Sequence, residues 1–208
     1  MDKRTKEKIR ITKEIISAAK VYKNQLVGKC FLYVFDDRCI EIIYRRRDFL
    51  HLTGVDTKLT PLAFYKDAVR GNLRHNQFSF STRHPYDFCV RKVSVLKEIG
   101  CVTNSELVIF EDISTSTYFY KFGLSEFNFT LCLTQDVGTD GKTISDKFVT
   151  RSLRVEDSSG KSKDFYEVKC IFSKENTERC YAKLEYIDKN YSLECLPDDV
   201  LEKVSIQL

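Results

Sequence analysis

The residues best suited to chemistry lie together in Arg45-Arg46-Arg47-Asp48-Phe49-Leu50-His51-Leu52-Thr53-Gly54. Three consecutive arginines at a strand end cannot all enter a core, so at least two must face solvent or a ligand. A guanidinium is a planar fork of donors that matches phosphate oxygens two at a time. An imidazole titrates near neutrality, so His51 beside guanidinium groups and the Thr53 hydroxyl can move a proton while charge builds on a pentavalent phosphorus. The plainer alternative is that Phe49, Leu50 and Leu52 anchor a helical turn and His51 makes one structural hydrogen bond.

Other constellations are weaker. His75 and His84 each follow an arginine in loop-like sequence, and neither belongs to an HxxxH or HExxH pattern. No metal site is expected from them. Arg91-Lys92 reads as the solvated face of a helix, and Arg151-Ser152-Leu153-Arg154 sets a hydroxyl between two guanidinium groups that can bind phosphate. Walker A, GxGxxG and GxSxG patterns are missing, so no cofactor is expected. The basic half also has no compact carboxylate cluster for a two-metal nuclease.

Charge agrees with an anion-binding role. Residues 1–100 carry 21 Lys and Arg against 11 Asp and Glu, whereas residues 101–208 carry 13 against 19. A basic half supplies the counterion-releasing contacts of nucleic-acid binding. The acidic half can mimic phosphate toward a partner protein. The eight cysteines include no CxxC pair, and most lie in apolar runs, as reduced buried thiols do. With no signal-type or membrane-length apolar run, a cytoplasmic protein without a membrane partner is expected.

The elements that must position these groups form an α+β layout, N-terminal helices followed by a twisted, mainly antiparallel sheet. Residues 3–26 have helical apolar spacing, with Gly28 as the stop. Residues 29–35 and 39–44 predict a hairpin around Asp36-Asp37-Arg38. Thr60-Pro61 opens a helix ending at Gly71, residues 77–81 suit a short strand, and a second helix covers 86–99 up to Gly100. Strands are expected at 106–111, 117–122, 127–133, 148–155, 165–172 and 181–187, with turns at 136–141 and 156–160.

From Phe49-Leu50-His51-Leu52-Thr53-Gly54, through Phe64-Tyr65 and Lys92-Val93-Ser94-Val95-Leu96, to Ser152-Leu153 and residues 165–186, the chain resembles a phage-associated nuclease-like family. That family belongs to the assemblage named after barnase, EndoU, the tRNA-cleaving colicins and RelE. The resemblance spans roughly residues 26–190. It divides the chain into a charged helix (1–26), a nuclease-like domain (27–190) and a tail (191–208). It implies RNA, tRNA or another structured RNA, lying across the sheet, and cleavage by a 2′-hydroxyl attacking its own 3′-phosphate. In that scheme His51 is the general acid or base, and Arg47 and Arg45 stabilise the phosphorane. Thr53 positions a phosphate oxygen. Arg46, Lys92, Ser152 and Arg154 are further contacts, and Tyr65 orients or stacks on a base. The same face also suits a noncatalytic module that holds nucleic acid or blocks a protein, or an enzyme acting on a nucleotide-sized ligand.

Overall fold

A computed structural model describes residues 2–115, 118–126, 128–138, 140–155 and 159–205. In chain order the helices and strands are α1 (Lys3–Val21), β1 (Lys29–Phe35), β2 (Arg38–Ile43), α2 (Phe49–Thr53), β3 (Asp56–Thr57), α3 (Pro61–Arg70), β4 (Phe78–Ser79) and α4 (Tyr86–Leu96). Then come β5 (Val108–Ser114), β6 (Phe119–Glu126), β7 (Phe129–Val137), β8 (Thr143–Arg154), β9 (Asp164–Glu167), β10 (Cys170–Glu175), β11 (Lys183–Ile187) and α5 (Asp198–Leu201). Most of the turn expected at 156–160 lies outside the described residues, as do Thr117 and Phe127, expected to begin strands, Thr139 of the 136–141 turn, and the end of the tail.

Among the described residues nine strands form one sheet in the order β11-β10-β1-β2-β8-β7-β6-β5-β9; β2 and β8 run parallel and the other pairs are antiparallel. The expected α+β class with a mainly antiparallel sheet is the observed one. A single strand over 165–172 is not. That stretch divides into β9 at one edge of the sheet and β10 beside the other edge, joined by Val168 and Lys169 alone. Three peptide steps reach about 10 Å, so the sheet must roll until its two ends nearly meet. Ties across the gap agree: Lys169 N–H donates to the Val34 carbonyl at 2.7 Å, Val168 N–H to that of Leu107 at 2.9 Å, and Arg38 pairs with Glu111 at 3.2 Å.

The rolled sheet explains why β1 reads Cys-Phe-Leu-Tyr-Val-Phe without alternation. Phe31, Tyr33 and Phe35 enter the main core with α1, α2, α3 and α4, while Cys30, Leu32 and Val34 meet Cys170, Phe172, Tyr181, Leu196 and Val200 on the other face. The first helix shares that main core through Ile11, Ile15, Ala18 and Ala19. It ends in one π-helical turn, Tyr22–Leu26. The helix expected to reach Gly100 stops at Leu96, and Gly100 lies inside a 3-10 segment, Ile99–Thr103. A Cβ on Gly100 would fall 1.7 Å from Gln25 Oε1, so this glycine serves close approach, not termination. Locally coded features agree with expectation: Thr60 caps α3 by accepting from Ala63 N–H, Pro61 follows, and Gly71 closes it at φ +76°. The eight cysteines are free thiols. Among the described residues no helix is long and apolar enough to cross a membrane.

Candidate active site

The three arginines following β2 go to three different places. Arg45 forms an ion pair with Asp136 of β7, whose side chain is 2 % exposed and also accepts from the Ser145 hydroxyl at 3.0 Å. Arg46 is exposed and lines a cavity with Lys23, Tyr65, Lys66 and Arg70. Arg47 is exposed and acts electrostatically on Asp48. Asp48 is buried, and its Oδ2 has no hydrogen-bond partner among the described residues. Burial outweighs the attraction of Arg45, Arg47 and Arg151 and raises its pKa to about 6. The path of the segment is fixed by Asp48 N–H donating to the Arg45 carbonyl at 3.0 Å and the Tyr22 hydroxyl donating to the same carbonyl at 2.9 Å.

From this turn the chain enters α2, one short helix carrying His51. Phe49 is buried against the rings of Tyr22 and Tyr65, with centroids 5.3 and 5.7 Å away, and Leu52 is buried beside it. Thr53 is fully buried. Its hydroxyl donates to the Leu50 carbonyl at 2.7 Å and accepts from Val55 N–H at 3.4 Å. Gly54 then takes φ +73°, a left-handed helix end. Its carbonyl accepts from the Cys89 thiol of α4 at 2.9 Å. A Cβ here would sit 2.9 Å from Lys92 Cδ, so the glycine also leaves the lane along which Lys92 passes.

His51 faces outward among cations. Its imidazole pKa is lowered by partial desolvation and then by Arg151, Lys92 and His84, so the neutral ring is favoured near pH 7. Lys92 differs from the solvated lysine the sequence suggested. It is 4 % exposed, its ammonium lies 4.5 Å from the Phe88 ring centroid, and it forms no ion pair among the described residues. Burial, reinforced by Arg154, brings its pKa down to about 8. Arg151 owes its position to a bulge. Leu133 pairs with Thr150 and Cys132 with Ser152, leaving Arg151 as the extra residue of β8. Thr150 and Leu153 are buried while Arg151 is exposed. His84 Nδ1 lies 2.7 Å from Asp56 Oδ1, so this loop histidine is tied to β3 beside the site.

Of the candidates named from sequence, the fold groups His51 with Lys92 and brings Arg154 up to Lys92. Ser152 lies half-buried on β8 next to Arg151. Arg45 and Thr53 face internal partners, the Tyr65 ring packs on Tyr22 and Phe49, and Arg46 opens on another side with Tyr65 at the wall of its cavity. Arg151 appeared in sequence only as part of an Arg-Ser-Leu-Arg string, and Asp48 had no signal beyond its neighbours. The crevice at Lys92 is lined by Phe88, Arg91, Arg154 and Val155. A larger cavity, about 680 Å³, touches this crevice through Val155, but Glu106, Glu167 and Asp188 outnumber Lys189 in its lining and disfavour an anionic ligand. The crevice at Lys92, by contrast, is lined among the described residues by three cations and no carboxylate. Among the described residues no group of three or more His, Cys, Asp or Glu is placed to hold a metal ion.

No curated protein and no solved structure matches the chain. Residues 14–190 do match a family, and the match begins inside α1, whose buried face belongs to the main core. It runs through the His51 turn, α4 and the bulged β8 to the end of the sheet. The chain belongs to the family described as phage-Barnase-EndoU-ColicinE5/D-RelE like nuclease4.

Proposed function

We propose that the chain is a metal-independent endoribonuclease, acting in the cytoplasm on tRNA or another structured RNA as a toxin or effector in conflict between phage and host. The observation supporting this is the convergence of His51, Lys92 and Arg151 from α2, α4 and β8, close enough for both cations to disfavour protonation of the imidazole. Neutral His51 accepts the proton of the 2′-hydroxyl as that oxygen bonds to the adjacent phosphorus. Arg151 stabilises the phosphorane, and Arg154 beside Lys92 and Arg47 beside Asp48 add positive charge around it. The bond to the 5′-oxygen breaks, and Lys92 gives that oxygen its proton. The products are a 2′,3′-cyclic phosphate and a 5′-hydroxyl, and solvent restores both side chains. Thr53 holds the His51 turn in shape, and Arg45 anchors the preceding loop. Ser152 flanks the phosphate.

The test is incubation of the purified chain with tRNA and other RNA classes in EDTA. Cyclic-phosphate ends are expected, with no cleavage of DNA, and His51→Gln should lower the rate by at least 10²-fold while leaving the fold intact. The rate should rise with pH through the lowered His51 pKa and fall as Lys92 loses its proton near pH 8. Cleavage that requires added metal, or survives His51→Gln, refutes this mechanism. Binding without cleavage by the folded chain would favour a noncatalytic nucleic-acid-binding module.

A further inference from the structure

The cavity around Arg46 contains a feature that the reaction at His51 does not use. It measures about 320 Å³ and is walled by Lys23 from the π-helical turn, Arg46 from the loop after β2, and Tyr65, Lys66 and Arg70 from α3. None of these four cations forms an ion pair among the described residues, and no carboxylate lines the cavity. Neighbouring Arg45 is paired with Asp136, and Arg47 stands by Asp48, so among the described residues Arg46 is the member of the triplet with no acidic partner.

Tyr65 provides an independent sign. The residue is 4 % exposed, with its ring packed on Tyr22 and Phe49, yet its hydroxyl has no hydrogen-bond partner among the described residues. Phenylalanine would fill the same core volume without an unpaired donor. The hydroxyl lies within electrostatic reach of Arg46 at the inner wall of the cavity, and an unpaired donor there matches an anion with several acceptor oxygens, two of which the Arg46 fork can grip.

We infer that this cavity is a second phosphate site, holding a backbone phosphate of the same nucleic-acid strand that is cut at His51. The inference rests on the proposed nuclease reading for the identity of the strand. Arg46 and His51 are five positions apart, so their Cα atoms are separated by at most about 18 Å, within reach of a few nucleotides. The chain would thus need an oligonucleotide, not a dinucleotide, for full affinity.

The experiment uses the full chain, a 2′-O-methyl octanucleotide that cannot be cleaved, a dinucleotide with one phosphate, and inorganic phosphate. Lys66→Glu with Arg70→Glu should weaken octanucleotide binding at least tenfold and reduce the salt dependence of log K by about 0.7 for each phosphate no longer neutralised. Dinucleotide binding should be unchanged. Tyr65→Phe should weaken the octanucleotide severalfold with a melting temperature equal to or above that of wild type. Unchanged octanucleotide affinity and salt slope in folded variants would overturn the inference. So would inorganic phosphate binding that the charge reversal abolishes while octanucleotide binding ignores it, since the site would then take free phosphate. Weakened octanucleotide binding alongside cleavage that survives His51→Gln would support this site while removing the proposed reaction.

Discussion

Replacing Lys92 by methionine should make the protein more stable and inactive at once. Lys92 is 4 % exposed, and its pKa falls from 10.5 to about 8. A fall of that size corresponds to about 3 kcal/mol of penalty on the ammonium form in the fold. The Phe88 ring, 4.5 Å from the ammonium, returns roughly 0.5–2 kcal/mol. Methionine follows the same unbranched path past Gly54 without a charge, so Lys92→Met should gain about 1–3 kcal/mol at pH 7. Below about pH 8 both folded and unfolded chains carry the ammonium, and the full penalty applies. Between about 8 and 10.5 the folded chain loses the proton first, so the penalty fades and wild-type stability rises toward that of the variant. Urea denaturation of both proteins at pH 7, 8.5 and 10 reads this convergence directly. RNA cleavage by the variant should drop by at least 10²-fold. A variant less stable at pH 7 by a margin that does not change with pH would refute the argument, leaving Lys92 as a packing stem. A stabilised variant that still cuts would keep the electrostatics and remove Lys92 from the chemistry.

The arginine triplet should divide under substitution. Arg45→Met leaves the Asp136 carboxylate buried with Ser145 as its remaining donor and should cost about 3–5 kcal/mol in thermal or urea denaturation. Arg46→Met and Arg47→Met should stay within about 0.5 kcal/mol of wild type while weakening RNA binding at low salt, and equal destabilisation by all three would contradict the observed partners. Asp48→Asn tests the buried carboxyl. Its pKa is raised from 3.8 to about 6, so the ionised form is penalised by up to about 3 kcal/mol above pH 6, and the penalty disappears below about pH 4. The asparagine variant should therefore be the more stable at pH 7 and match wild type at pH 4 in denaturant titrations; a constant difference would show that Asp48 is not held as a strained anion.

The sequence was legible where structure is decided by a few adjacent residues. Thr60, Pro61 and Gly71 delimit α3 through their own caps and dihedral preferences, and Asp36 sits at positive φ in the two-residue turn between β1 and β2. His51 on a short turn closed by Gly54 was legible for the same reason. What escaped was long-range. Nothing local in Val168-Lys169 says that the chain crosses from one edge of a rolled sheet to beside the other. The extra residue in β8 exists only relative to its partner β7, so Arg151 could not be distinguished from Arg154 by pattern. Charge shows the same limit with more consequence for function. The excess of cations in the first half suggests one broad anion-binding face, yet acidic residues of the second half reach across to cancel part of it, Glu111 at Arg38 and Asp136 at Arg45. Among the described residues Lys92 beneath Gly54 and Arg46 with its neighbours over Tyr65 form no ion pair, while Arg151 on its bulge stands within electrostatic reach of the buried Asp48. A chain that needed only to attract nucleic acid would gain nothing by burying Lys92 unpaired. Its placement beside an imidazole with a depressed pKa is a reason to expect chemistry at this face as well as binding.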